Sequence, residues 1–203
     1  ILLLDHADNC GSGGTQDVMT VVERVFHAGL EDVIVGAVWD PIAVGRMQEA
    51  GVGAELSLGL GGNTDMPSIG ECGRPFHVVG TVKVLTDGKW IVHGPMYHGV
   101  EVDMGPTALL DIGGMAIVVI SYHHEPWDRG IFTSVGIQPE HHHYILLKSR
   151  IHYRAGFADL VRHTVTLDGS GVTTSENSKL DYQHLRRPIY PLDSPSWPET
   201  SAA

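Results

Sequence analysis

Asp32-Val33-Ile34-Val35-Gly36-Ala37-Val38, followed at once by Trp39-Asp40-Pro41, decides the fold. The run is apolar and Val-rich, the composition of a buried strand. Asp40-Pro41 then offers an N-cap with proline at the first helical position. A short helix is expected from there through Met47, ending near Gly51. Upstream, Ile1 to Leu4 reads as a short apolar strand ending at Asp5. Thr15 to Ala28 places Val18, Val21, Val22, Val25 and Phe26 at helical spacing, with Gly29 as a stop. Downstream, Ala54 to Leu60 reads as a third strand before Gly61-Gly62. This β-α-β-α-β rhythm implies parallel strands joined by right-handed crossovers.

Residues 63–120 read differently. Phe76 to Leu85 and Trp90 to His93 flank Thr86-Asp87-Gly88-Lys89, and Asp-Gly between such runs signals a hairpin. Thr107 to Ile112 and Met115 to Ile120 flank Gly113-Gly114, a second hairpin. The stretch is therefore expected as an antiparallel insert, or an antiparallel edge of the parallel sheet. From residue 121 the α/β pattern returns. Trp127 to Val135 suits a helix, Tyr144 to Leu147 a strand, Ala155 to Val161 a helix and His163 to Leu167 a last strand. The expected class is α/β: a mainly parallel sheet with flanking helices, one domain over residues 1–193. Residues 194–203 are Pro- and Ser-rich and are expected to be a disordered tail.

Bulk properties narrow the function. The chain has 203 residues and a net charge of −11, with only 13 scattered Lys and Arg, which argues against a nucleic-acid surface. No run of about 18 apolar residues marks a membrane span, and no basic-then-apolar leader is present. Cys10 and Cys72 lack CxxC spacing and read as unpaired thiols, pointing to a reducing cytoplasm. Because Ile1 to Leu4 already reads as core strand, with no Met before it, the expectation is a fragment of a longer protein.

In open parallel sheets, ligands bind beyond the carboxyl ends of the strands. That rule gathers Asp5 to Asn9, Asp40, Gly59 to Asn63, Ser121 to Glu125 and Lys148 to Arg154 on one rim. In the loop Asp8-Asn9-Cys10-Gly11-Ser12-Gly13-Gly14-Thr15, glycines at 11 and 13 permit close backbone approach before a helix. Such a loop could cradle a carboxylate, a phosphate or an oxyanion; the alternative is a structural tight turn. It lacks both the P-loop and the GxGxxG spacing. Lys148, Ser149, His152 and Arg154 are candidate substrate contacts: period 2 would align Lys148, Arg150, His152 and Arg154 as a carboxylate clamp. Salt bridges to the many acidic residues are the alternative. His123-His124-Glu125 has donors that suit zinc, but adjacent strand-end residues point opposite ways. His141-His142-His143 precedes a strand, at the opposite rim, and reads as a solvated turn.

These residues resemble the C-terminal domain of the MlrC family. Asp8-Asn9, the Gly-rich loop and Asp17 are similar to the Ala-Asp-Asn-Pro-Gly-Gly-Gly loop that opens that domain. Further matches are Asp40-Pro41, Ala50-Gly51-Val52-Gly53, Leu60-Gly61-Gly62, Gly105-Pro106-Thr107-Ala108 and Gly136-Ile137-Gln138-Pro139. Leu147-Lys148-Ser149, His152-Tyr153-Arg154-Ala155 and Arg187-Pro188-Ile189-Tyr190-Pro191-Leu192-Asp193 complete the series over nearly the whole chain. Cys10, Ser12 and Gln16 depart from the family's Pro, Gly and Gly. The resemblance implies a two-domain, zinc-dependent peptidase or amide hydrolase, whose zinc ligands lie in an N-terminal domain outside this chain. This half would then contribute Asp8, Asn9, Gly11, Gly13, Lys148, Ser149, His152 and Arg154 as substrate-facing residues. The implied partners are a peptide or small amide substrate and the N-terminal domain of the same polypeptide, with homo-oligomerisation left open. A binding module without chemistry and a dimerisation domain are the other classes.

Overall fold

A computed structural model describes residues 1–194. The expectation for the tail falls on residues 194–203, of which 195–203 lie outside the described residues. In chain order the strands are β1 (Leu2–Asp5), β2 (Val33–Trp39), β3 (Glu55–Leu60), β4 (Phe76–Thr86), β5 (Lys89–Ile91), β6 (Glu101–Asp103), β7 (Thr107–Asp111), β8 (Met115–Ile120), β9 (Tyr144–Leu147) and β10 (Thr164–Leu167). The helices are α1 (Thr20–His27), α2 (Pro41–Ala50), α3 (Gly130–Thr133) and α4 (Arg154–Phe157).

The main sheet runs β10-β1-β9-β2-β8-β7-β4-β3, with β5 and β6 forming a separate ribbon. Its first five strands are parallel neighbours, the arrangement expected for this α/β class. Their side chains alternate between two apolar layers, as buried parallel strands require. Leu3, Val33 and Val35 face α1 and α2, where they meet Val22, Val25, Val44 and Met47. Leu2, Leu4 and Ile34 face the other side and pack with Ile131, Phe132 and Phe157. Gly36 is needed there, because a Cβ would stand 2.6 Å from the Phe132 ring. Capping also follows expectation: the Asp40 side chain accepts from Ala43 N at 2.8 Å, with Pro41 opening α2.

Three expectations are corrected. β3 is not a third parallel strand; it pairs antiparallel with β4 at the sheet edge. The β3 run shows an exposed–buried alternation toward its end, so it cannot be buried on both faces as a central parallel strand would be. The Asp87-Gly88 turn does not join a hairpin. β4 pairs with β3 and β7, while β5 leaves to pair with β6. Gly88 is held against the segment between β6 and β7, where a Cβ would meet Gly105 O at 2.0 Å, so the turn steers the chain off the sheet. Third, α1, α3 and α4 are shorter than their periodic patterns. Val18, expected in a helix, is instead fixed by the Asp8 carboxylate in an irregular loop. The second hairpin forms as expected, with β7 and β8 antiparallel across Gly113-Gly114, both at positive φ. Among the described residues, no helix is long and apolar enough to cross a membrane.

Candidate functional site

β1, β2, β8 and β9 all deliver their carboxyl ends to one rim, and the loops that follow meet there. The β3 end joins them despite its direction: Gly61 N donates to Asp40, and Asn63 N and Thr64 N donate to Asp17. Under the rim lies a sealed charge cluster. Lys148, the first residue after β9, is fully buried, as are Asp5 and Asp8. Lys148 Nζ donates to Asp5 Oδ2 at 3.0 Å, to Asp8 Oδ2 at 2.9 Å and to the Val18 carbonyl. Burial works against the Lys148 charge, but the fields of Asp5 and Asp8 outweigh it and raise the ammonium above the usual lysine range. Two carboxylates share this one cation. Asp8 also accepts from Thr15 Oγ1, Gln16 N and Val18 N, whereas Asp5 Oδ1 has no partner among the described residues. Burial accordingly pushes the Asp5 carboxyl up, opposed by Lys148.

Directly beside this cluster, Glu125 gathers three loops. It follows β8 and is 5% exposed. Its Oε1 accepts from Asn9 Nδ2 at 2.9 Å and from Ser149 Oγ at 3.2 Å. Its Oε2 lies 2.8 Å from His152 Nδ1. The His152 side chain is 51% exposed, so the pair has a buried carboxylate and an accessible ring. Gly11 is what admits Glu125: a Cβ at position 11 would stand 2.0 Å from Glu125 Oε2.

The glycine loop is built as a support rather than a cradle. Gly11 N donates to Asn9 Oδ1, Ser12 N and Gly14 N to Asn9 O, and Gly13 N to Cys10 O. With Gln16 N and Val18 N spent on Asp8, these amides are not free to hold an anion. Nor does the loop feed a helix N-terminus directly, since α1 begins only at Thr20. Cys10 stays a thiol, since burial, with Glu125 and Asp8 nearby, pushes it up to about 12.

Of the residues singled out from sequence, Asn9, Gly11, Ser149 and His152 meet around Glu125, and Asp8 and Lys148 lie beneath them. Gly13 turns outward at φ 98. Arg154 is exposed at the start of α4, its guanidinium 5.9 Å from the centre of the Tyr153 ring. The four-residue extended clamp does not form, because β9 ends at Leu147 and the chain turns. Lys148 points into the interior, and Arg150 donates to Thr173 O and Ser175 Oγ. The strand-end rule places Glu125, the hub, on this rim, but the sequence reads its chemistry as that of a zinc-type donor beside His123-His124. Those histidines do point apart. His123 stacks on Trp39 with ring centres 4.5 Å apart, and His124 is buried 4.3 Å from the centre of Trp127. Burial lowers His124 to about 4, against the pull of Asp128, and its Nε2 has no partner among the described residues. At the opposite rim, Asp32 binds the ring nitrogens of His142 and His143; burial works to raise its carboxyl, but the hydrogen bonds from His143 and His142 together outweigh it and lower it. Among the described residues, no three His, Cys, Asp or Glu side chains are grouped to hold a metal ion.

Comparison with known proteins finds relatives over nearly the whole chain. The model of the family described as MlrC C-terminus matches residues 3–184. Microcystinase C of Sphingomonas sp is 28% identical over 194 residues, covering 95% of this chain. A crystal structure of a "Putative metallopeptidase" from Mesorhizobium sp. BNC1 superposes with a TM-score of 0.81 at 26% identity over 98% of the chain. The chain spans 36% of the first relative and 39% of the second. With its fold, its strand-end rim and the match over nearly its whole length, this chain belongs to the MlrC C-terminus family.

Proposed function

We propose that this chain is the C-terminal lobe of a zinc-dependent peptidase or amide hydrolase and presents the rim around Glu125 to a peptide or small amide substrate. The observation that carries the reading is the convergence of the loops after β1, β8 and β9 on one buried carboxylate with an accessible histidine. Relatives named as a microcystinase and a metallopeptidase support the reaction class. The described residues do not make a zinc site alone, so zinc is assigned to an N-terminal domain of the same polypeptide, in the cytoplasm.

This chain's own part is to bind and orient. Asn9, Gly11 and Ser149 form the floor of the rim, His152 stands on it, and exposed Arg154 is placed to meet a substrate carboxylate. Asp8 and Lys148 hold the floor in place from below. The test compares this chain with the full two-domain protein on a panel of blocked peptide amides, with zinc measured by elemental analysis. Chelator-sensitive cleavage and bound zinc are expected only in the two-domain protein. Zinc-dependent cleavage by this chain alone, or no cleavage by the two-domain protein, would overturn the reading.

A further inference from the structure

We infer that His152 is a proton-transfer residue and that Glu125 is its positioning residue, a dyad completed only because position 11 is glycine. This inference rests on the hydrolase reading above. Its geometry runs from the backbone outward. Gly11 N donates to Asn9 Oδ1, and this fixes which way the Asn9 amide points. Asn9 Nδ2 must then face Glu125 Oε1, where Ser149 Oγ joins it. With Oε1 occupied by two donors, Oε2 is left for His152 Nδ1 at 2.8 Å. A carboxylate only accepts, so the hydrogen of the neutral imidazole sits on Nδ1. Nε2 is thereby the basic nitrogen, and it has no hydrogen-bond partner among the described residues.

A carboxylate that fixes tautomer and ring orientation is what a general acid–base histidine needs. In amide hydrolysis the step balances without an added reagent. Nε2 takes a proton from the attacking water as the freed O–H electron pair forms the new C–O bond. The imidazolium, its charge matched by Glu125, then returns that proton to the leaving nitrogen as the C–N bond breaks. Three other candidates on the rim do not fit this role. Lys148 is fully buried, Cys10 is held as a thiol, and His124 is buried with its Nε2 sealed from solvent.

Two measurements test the dyad, one of them independent of activity. Nitrogen-detected NMR of this chain reads the His152 tautomer, expected as Nδ1–H in the wild type with a shift toward Nε2–H in Glu125→Gln. In the two-domain protein, His152→Ala is expected to lower kcat on the order of 10²–10⁴-fold with little change in KM. Added imidazole should restore part of that loss, and Glu125→Gln should lower kcat less than His152→Ala does. An Nε2–H tautomer in the wild type, or unchanged kcat in His152→Ala, overturns the inference. If wild-type two-domain protein cleaves no amide, the functional reading fails, and the pairing still stands or falls on the tautomer.

Discussion

Lys148 and His152 stand four residues apart, and each pairs with a buried carboxylate at distances near 3 Å. Their surroundings differ in every other respect. Lys148 is sealed, and all of its known partners are protein oxygens, whereas half of the His152 side chain faces solvent. A cation enclosed by two acids holds structure in place, because removing it leaves uncompensated buried charge. An imidazole with one nitrogen anchored and the other accessible can exchange a proton at little structural cost. The difference separates architecture from chemistry within a single loop.

The largest expected effect would break the sealed pair. Lys148→Met removes the cation shared by Asp5 and Asp8, and urea unfolding should show a loss of roughly 3–5 kcal/mol. An unchanged midpoint would mean that the cluster does not hold the loop. The pH dependence of the same pair follows from the raised Lys148 ammonium. Its stabilisation is fully present below the unfolded lysine value of 10.5 and is lost only as pH rises through the higher folded value.

His124 extends the comparison to a buried ring whose Nε2 has no partner among the described residues. Its folded value of about 4 lies below the unfolded 6.5, so its contribution is present above pH 6.5 and is lost as pH falls through about 4. Full protonation is worth roughly 3 kcal/mol. Unfolding curves at pH 7 and pH 4.5 should diverge in the wild type and draw together in His124→Phe. Equal slopes in both proteins would place the acid sensitivity elsewhere.

A smaller and more selective effect is expected at the open pair. Gly11→Ala sets a methyl against Glu125 Oε2, and overpacking of this kind costs about 1–3 kcal/mol. It should also free the His152 ring, visible as a change of tautomer in the NMR spectrum. Stability lost with the tautomer intact would confine the role of Gly11 to packing. The smallest effect belongs to Arg154→Ala, which should alter stability by less than about 0.5 kcal/mol. In the two-domain protein it should raise KM for carboxylate-bearing substrates; an unchanged KM would remove Arg154 from the rim's binding surface.

What was legible in the sequence divides along the same line. Local chemistry spoke clearly: Asp40-Pro41 announced α2, Gly113-Gly114 announced the β7–β8 hairpin, and the Val-rich runs announced the parallel strands. Strand-end reasoning also brought Asn9, Ser149 and His152 to one rim, and motifs spread along the chain carried the family. What stayed hidden depended on distant partners. Glu125 lies 116 residues beyond Asn9, and nothing in the glycine loop's own spacing says that its gap receives a carboxylate. The clamp failed because period 2 was carried past Leu147, where the strand ends and Lys148 turns inward. The direction of β3 was equally hidden, since its pairing with β4 is settled across a fifteen-residue connection, 61–75, with no regular signal.

The place of β1 within the sheet has a consequence for how the molecule is made. Leu2 pairs with Ile145 on one side and Thr164 on the other, and Lys148 reaches back to Asp5 across 143 residues. A ribosome delivers β1 before either neighbour exists, so the nascent segment must wait with its apolar side chains uncovered. Only after residue 167 has been delivered can β1 be enclosed on both edges. Contacts this far apart in sequence slow folding and favour aggregation while they are unmade. This chain should therefore depend on holding chaperones during synthesis more than a domain whose first strand lies at a sheet edge.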